Sequence, residues 1–195
     1  MNVAILKYNA GNILSVTYAL ERLGVSAIVT DDAELLQKAD RVIFPGVGEA
    51  STAMAYLKER QLDNVIKNLQ QPVLGICLGM QLLCAYSEEN NTPCLSVFDE
   101  RVVSFLSNGK DKIPQVGWNT LTNSSSALFD GINDNAYCYF VHGYYADLGP
   151  DTIAITNYIL PYSAALHKNN FYGVQFHPEK SATIGERILQ NFLDI

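Results

Sequence analysis

Between Val3 and Tyr86, short apolar runs alternate with stretches of helical periodicity, and no other feature constrains the fold as tightly. Val3 to Leu6 reads as a strand, ended by the polar turn Tyr8-Asn9-Ala10-Gly11-Asn12, with Asn12 placed to cap the next helix. Ile13, Val16, Leu20 and Leu23 recur at helical spacing, and Gly24 is a natural stop. Val25 to Val29 is a second strand, and Asp31 or Asp32 caps a helix through Lys38. Val42-Ile43-Phe44 is a third strand, ended by Pro45-Gly46-Val47-Gly48. Glu49 to Leu57 and Leu62 to Leu69 read as helices, Pro72 to Ile76 as a buried strand, and Met80 to Tyr86 as a helix. Such alternation predicts a parallel sheet covered by helices on both faces. Ligands then bind beyond the carboxyl ends of the strands, where Pro45–Gly48 and Cys77 both fall.

The second half is richer in β signals: Arg101 to Leu106, Cys138 to His142, Ile153 to Thr156, Ala164 to His167 and Tyr172 to Phe176. Asn108-Gly109 and Asn169-Asn170 are hairpin-turn candidates, and Ile184 to Leu193 is an amphipathic helix. The expected architecture is an α/β three-layer sandwich with a mostly parallel central sheet, plus a smaller antiparallel portion in the second half. A chain of 195 residues, 48% apolar and 17% charged, supports one ordered domain spanning residues 1–195.

A net charge of -7 argues against a broad nucleic-acid surface. The N-terminal apolar run is too short for a signal peptide or a membrane span, so the expected compartment is the cytoplasm. The four cysteines, Cys77, Cys84, Cys94 and Cys138, contain no Cys-x-x-Cys pair and are expected as thiols. Three histidines without an i, i+4 pair give no metal signature, and no cofactor is expected.

Two segments carry chemistry. In Gly75-Ile76-Cys77-Leu78-Gly79 a thiol sits between glycines at a strand-to-helix junction. This is the pattern of a nucleophile elbow, with one glycine for the tight turn and one for close helix packing. The following helix points its amino end at the sulfur, which favours the thiolate, and the Leu78 N–H is placed for a developing oxyanion. In His177-Pro178-Glu179, side chains at i and i+2 of an extended segment share a face. The carboxylate can then fix the imidazole tautomer while the other ring nitrogen serves the thiol. Each segment also has a structural reading, a packing cysteine and a surface turn; together they supply nucleophile, base and orienting group. His142 is a rival base without a carboxylate at i±2 and reads better as a structural histidine. Pro45–Gly48 lacks the lysine of a phosphate loop and reads as a second side of an oxyanion hole.

Gly75-Ile76-Cys77-Leu78-Gly79-Met80-Gln81, taken with Gln175-Phe176-His177-Pro178-Glu179, resembles the class I triad glutamine amidotransferases over essentially the whole chain. Four further segments resemble the branch formed by the glutaminase subunits of imidazole glycerol phosphate synthases. They are Tyr8–Asn12, Pro45–Gly48, Ile113-Pro114-Gln115-Val116-Gly117-Trp118-Asn119, and Tyr139–His142 with Gly143-Tyr144. The resemblance implies that Cys77 attacks the amide of L-glutamine, that His177 protonates ammonia and activates water, and that Glu179 orients His177. Leu78 and the Gly46–Gly48 backbone would stabilise the oxyanion; Gln81, Gly48 and the backbone of His142, Gly143 and Tyr144 would hold substrate. It implies a heterodimer with a (β/α)8-barrel cyclase subunit that receives the ammonia, with Asn12, Trp118, Tyr139 and Lys180 at the interface. Two positions depart from the family: Gln115, usually histidine, and Lys7, usually aspartate. Three alternatives remain open on the residues alone: the glutaminase subunit of another synthase such as pyridoxal phosphate synthase, a cysteine peptidase or γ-glutamyl hydrolase, and a non-catalytic module.

Overall fold

A computed structural model describes residues 1–9 and 11–195. Along each short strand of the first half, alternate side chains enter two different cores. In β1 (Val3–Leu6), Val3 and Ile5 pack on one side, and Ala4 and Leu6 on the other. In β3 (Arg41–Phe44), Ile43 faces the first core and Val42 and Phe44 the second. In β4 (Val73–Ile76), Leu74 and Ile76 face the first and Val73 the second. This period of two, with both faces apolar, explains why the strands read as continuous hydrophobic runs.

The first core is closed by α1 (Ile13–Arg22), through Val16, Ala19 and Leu20, and by α6 (Ala182–Asp194), through Ile188, Leu189 and Phe192. The second is closed by α2 (Ala33–Lys38), α3 (Ala50–Glu59), α4 (Leu62–Lys67) and α5 (Leu78–Leu83). Three layers result, helices on both faces of one sheet.

Among the described residues that sheet has eleven strands. With β2 (Ala27–Thr30) at one edge and β13 (Phe171–Val174) beside β4, its parallel part runs β2-β1-β3-β4-β13. It continues through antiparallel partners: β12 (Leu160–Lys168), β10 (Tyr144–Ala146) and β7 (Arg101–Ser104), with β11 (Thr152–Tyr158) paired to β12. The short strands β5 (Tyr86–Ser87) and β6 (Thr92–Pro93) close the far edge. A separate antiparallel pair is formed by β8 (Gln115–Thr120) and β9 (Tyr137–His142).

Several expected boundaries shift for local reasons. Asp32, not Asp31, caps α2, accepting from the Leu35 N–H. Glu49 precedes α3 rather than opening it, and its carboxylate takes the N–H groups of Ser51 and Thr52. Asn12 precedes α1 in a left-handed conformation (φ 76°) and makes no side-chain cap; its amide is used elsewhere. The helix expected at Met80–Tyr86 begins at Leu78 and ends at Leu83, because Cys84 is extended and Tyr86 joins a strand. Asn108-Gly109 is a loop turn rather than a hairpin, since β7 and β8 pair with different strands. Asn169-Asn170 does join the antiparallel pair β12–β13. The strand β8 lies outside the segments expected as strands, although Val116 and Trp118 alternate with glycine and polar residues, and it is held by register with β9 from Gln115↔His142 to Thr120↔Tyr137.

The tightest approach in the parallel core is between α5 and its neighbours. A methyl group on Gly79 would lie 1.8 Å from the Phe44 carbonyl oxygen, and one on Gly75 would lie 2.8 Å from the Met80 nitrogen. Both glycines therefore serve close packing. Gly79→Ala should destabilise the fold by about 1–3 kcal/mol or more, because overpacked backbone cannot relax as a side chain can. Urea denaturation of the variant against the wild type measures this.

Candidate active site

The polypeptide turns from β4 into α5 at Cys77, which holds φ 54° and ψ -109°. A non-glycine residue at positive φ is strained, and here the strain sits on the thiol-bearing residue itself. The sequence pattern placed the turning freedom on Gly75; the structure uses Gly75 for clearance and Cys77 for the turn. Paired backbone anchors the elbow: the Cys77 N–H donates to the Val174 carbonyl at 2.8 Å, and the Gln81 N–H to the Cys77 carbonyl at 3.1 Å.

His177 follows β13, the strand next to β4, so the two segments meet at adjacent strand ends. His177 itself is extended, and Pro178–Lys180 is a single 3-10 turn rather than a continued strand. Pro178 at the first turn position has no N–H to lose there. This turn brings Glu179 Oε1 to 2.7 Å from His177 Nδ1, with the carboxylate buried. The His177 N–H donates to the Tyr139 carbonyl at 2.8 Å, fixing the residue from the β9 side. Burial alone would push the His177 pKa down. Hydrogen bonds and charge interactions with Cys77 and Glu179 outweigh that and raise it to about 10.

Cys77, Val47, Gly48, Leu78, Gln81 and Glu89 face Val141, His142, Gly143 and Tyr144 across a cavity of about 260 Å³. A larger, more open depression of about 620 Å³ lies beside the C-terminus near Asp130 and Arg187, away from the thiol. Gln81 lines the site, but both hydrogens of its amide are committed. Nε2 donates to the Tyr144 carbonyl and to Gln175 Oε1, each at 2.9 Å.

His142 is buried and partnered at both ring nitrogens: Nδ1 lies 2.7 Å from the Tyr144 carbonyl, and Nε2 lies 3.0 Å from the Tyr162 hydroxyl. Burial leads the forces that lower its pKa, to about 4, so it is neutral near pH 7 and donates from Nδ1. Gln115 is buried as well, 2.7 Å from the same Tyr162 hydroxyl. It belongs to the interior network that holds His142.

The Leu78 N–H donates to the Gly46 carbonyl at 3.2 Å, so the expected oxyanion donor is satisfied within the protein. The loop after β1 ties this region together. The Tyr8 hydroxyl donates to the Pro45 carbonyl at 2.7 Å, and the Gly11 N–H to the Val47 carbonyl at 3.2 Å. The Asn12 amide donates to Glu179 Oε1, the oxygen that also faces His177. Ala10 lies outside the described residues. Around the outside, Trp118 is half exposed and packs edge-on against Tyr139, and Lys180 is exposed.

A family model for glutamine amidotransferase class-I matches residues 5–195. The chain belongs to the class-I glutamine amidotransferases. Among curated relatives it is 58% identical over 196 residues to the imidazole glycerol phosphate synthase subunit HisH of Bacteroides thetaiotaomicron, covering 100% of both chains. It is 46% identical to the subunit of the same name from Yersinia pseudotuberculosis, again covering 100% of both, and 45% identical to that of Haemophilus influenzae, covering 100% of this chain and 98% of the relative. Among solved structures, PurLQS from Thermotoga maritima has a TM-score of 0.74 at 16% identity, covering 99% of this chain and 97% of that one. A glutamine amidotransferase structure has a TM-score of 0.73 at 20% identity, covering 98% and 97%. These two show a shared fold.

Two further residues reach the thiol or its cavity without a signal of their own in the sequence, Glu89 and Gln175. Glu89 reaches the cavity from a turn between β5 and β6, and its carboxylate accepts from the Ala50 N–H at 2.7 Å. Nothing in its sequence surroundings marks it, since only folding brings the turn to the elbow. Gln175 stands inside the motif that supplies His177, two residues before it, so extended backbone puts both on one face; its reach to the thiol follows from β13 lying beside β4. Its amide donates to Cys77 Sγ at 3.7 Å.

The two perturbed histidines set opposite pH slopes on stability. His177 is raised from 6.5 to about 10, so above pH 6.5 the native state holds a proton that the unfolded state releases, and stability falls as pH rises. His142 is lowered from 6.5 to about 4, so stability falls as pH drops through that window. Between pH 6.5 and 8, below the range where buried thiols titrate, the wild type should lose stability with rising pH. His177→Gln should flatten that slope, as read by urea denaturation at several pH values.

Proposed function

We propose that this chain is the glutaminase subunit of an imidazole glycerol phosphate synthase, hydrolysing L-glutamine through Cys77, His177 and Glu179. The observation that carries the reading is the buried His177–Glu179 pair beside a strained thiol at the mouth of a small cavity, on a chain 58% identical to a relative of that name. Cys77 Sγ attacks the side-chain amide carbon, and the carbonyl oxygen becomes an oxyanion. His177, protonated near neutral pH, gives its proton to the departing ammonia as the γ-glutamyl thioester forms. Neutral His177 then takes a proton from water, which opens the thioester and releases glutamate. Glu179 holds the ring by its Nδ1 hydrogen bond, and Asn12 holds Glu179.

Glu89 suits the α-ammonium of glutamine. Its carboxyl is raised chiefly by burial and secondarily by nearby Glu49, so a cation at the pocket would relieve an unfavourable charge. Gln81 Oε1, the free end of that amide, can accept from the same group. Gly48 and the backbone from His142 to Tyr144 form the rest of the wall.

The Leu78 N–H must leave the Gly46 carbonyl before it can meet an oxyanion. This supports low glutaminase activity in the isolated subunit and a rise when a partner reshapes the glycine strand. Asn12, Trp118, Tyr139 and Lys180 surround the outer side of the triad, where a (β/α)8-barrel cyclase subunit would dock to receive ammonia. There ammonia would yield imidazole glycerol phosphate and an aminoimidazole carboxamide ribonucleotide in histidine biosynthesis. Among the described residues no helix is long and apolar enough to cross a membrane, and four free cysteines suit a reducing cytoplasm.

In the presence of a candidate cyclase subunit and its ribonucleotide substrate, Cys77→Ala should abolish glutamine-dependent cyclisation while leaving ammonia-dependent cyclisation intact. Retained glutamine turnover would sink the nucleophile assignment. Glu89→Gln keeps an acceptor for the Ala50 N–H but removes the charge. It should raise KM for glutamine about tenfold with kcat changed far less, as expected for loss of one charge-assisted contact to the ground state.

A further inference from the structure

We propose that Gln175 is a catalytic hydrogen-bond donor to the Cys77 sulfur, locked in its donating orientation by Gln81. The orientation follows from a chain of buried groups with one free choice at its start. The Tyr144 carbonyl can only accept, so the end of Gln81 lying 2.9 Å from it is the NH2. The other hydrogen of that NH2 points at Gln175, 2.9 Å away, so Gln175 must present its oxygen there. The NH2 of Gln175 is then left facing Cys77 Sγ at 3.7 Å. Turning Gln175 over would set two NH2 groups against each other, and turning Gln81 over would set two oxygens together, in a buried site with Gln81 only 5% exposed and Gln175 fully buried.

The anchors at both ends are rigid. The Tyr144 carbonyl also meets His142 Nδ1 at 2.7 Å, and Tyr144 pairs with Ser104 in β7. The Gln175 N–H donates to the Ala164 carbonyl at 2.8 Å. On its other side the sulfur faces the Val141 carbonyl at 3.7 Å. That carbonyl can accept a thiol hydrogen and opposes a thiolate, whereas the Gln175 N–H favours the thiolate. Gln175 thus offsets the nearest unfavourable dipole at the stage when the sulfur must carry charge. The inference rests on Cys77 being the nucleophile, but it concerns the ionisation of the thiol and can be read without turnover.

The test is the pH dependence of Cys77 alkylation by iodoacetamide, followed on the Cys77 peptide by mass spectrometry. Gln175→Met removes the donor at similar volume. Gln175→Glu keeps an acceptor for Gln81 and places a carboxylate oxygen near the sulfur. The alkylation midpoint should rise by about one pH unit or more in the methionine variant and further in the glutamate variant. Gln81→Met, which frees Gln175 to turn, should shift it in the same direction. An unchanged midpoint in folded Gln175→Met overturns the proposal, whether or not glutamine hydrolysis survives. If these variants fail to fold by circular dichroism, the side-chain amide of Gln175 in the ¹⁵N-labelled wild type decides. Its Nε2–H resonances should titrate together with Cys77, and that titration should vanish in Cys77→Ser. A pH-independent resonance overturns the assignment. Loss of glutaminase activity in Cys77→Ala is a separate result, so failure of the nucleophile reading and failure of this one are distinguishable.

Discussion

The close approach of α5 to the ends of β3 and β4 is the constraint from which the site follows. Gly79 lies so near the Phe44 carbonyl that no side chain fits between them. The helix can start that close to the sheet only if the chain reverses within one residue. That residue is Cys77, at positive φ, and the thiol is pushed out at the strand end as a result. The same contact sets the Leu78 N–H against the Gly46 carbonyl, so the start of α5 and the glycine strand are bonded neighbours. Packing in the second core and the geometry of the Cys77 thiol are therefore one feature.

Around that elbow the protein arranges polar groups that have little freedom left. Glu179 is held by Asn12 and meets His177, which in turn feels Cys77; Gln81 is held by Tyr144 and meets Gln175, which reaches the sulfur from another direction. The first chain begins at the half-buried Asn12 and the second on the Tyr144 backbone. An unpartnered polar atom in such a site is costly, so the pairing of one residue dictates the orientation of the next. Tyr8, Gly11 and Asn12 link the glycine strand to the first of these chains, bonding to Pro45 and Val47 on one side and to Glu179 on the other.

Much of this was legible from residue order. The alternation Val3–Leu6, Val42–Phe44, Pro72–Ile76 announced a parallel sheet because both faces of each strand are apolar. The glycine-flanked Cys77 and the His177-Pro178-Glu179 triplet announced their positions because the strand end and the proline turn are local. Less visible was β8, whose pairing depends on β9 rather than on its own propensity. Gln115 is visible in sequence only as a departure from the family's usual histidine; that it lies in the interior is decided by what packs over it.

Local patterning alone determined the four parallel strands of the first half, the strand-to-helix junction that carries the thiol, and which imidazole has a carboxylate two residues away. These depend on side-chain periodicity and on backbone chemistry within a few residues. Only the tertiary structure decided that β13 lies beside β4, which brings His177 to Cys77, and that Glu89 reaches the cavity from a distant turn. It also decided that Gln81 spends its amide on Tyr144 and Gln175, and that Asn12 serves Glu179 instead of its own helix. Hydrogen bonds between groups far apart in the chain have no local signature, since the partner of a buried amide is chosen by the three-dimensional packing that excludes water from it.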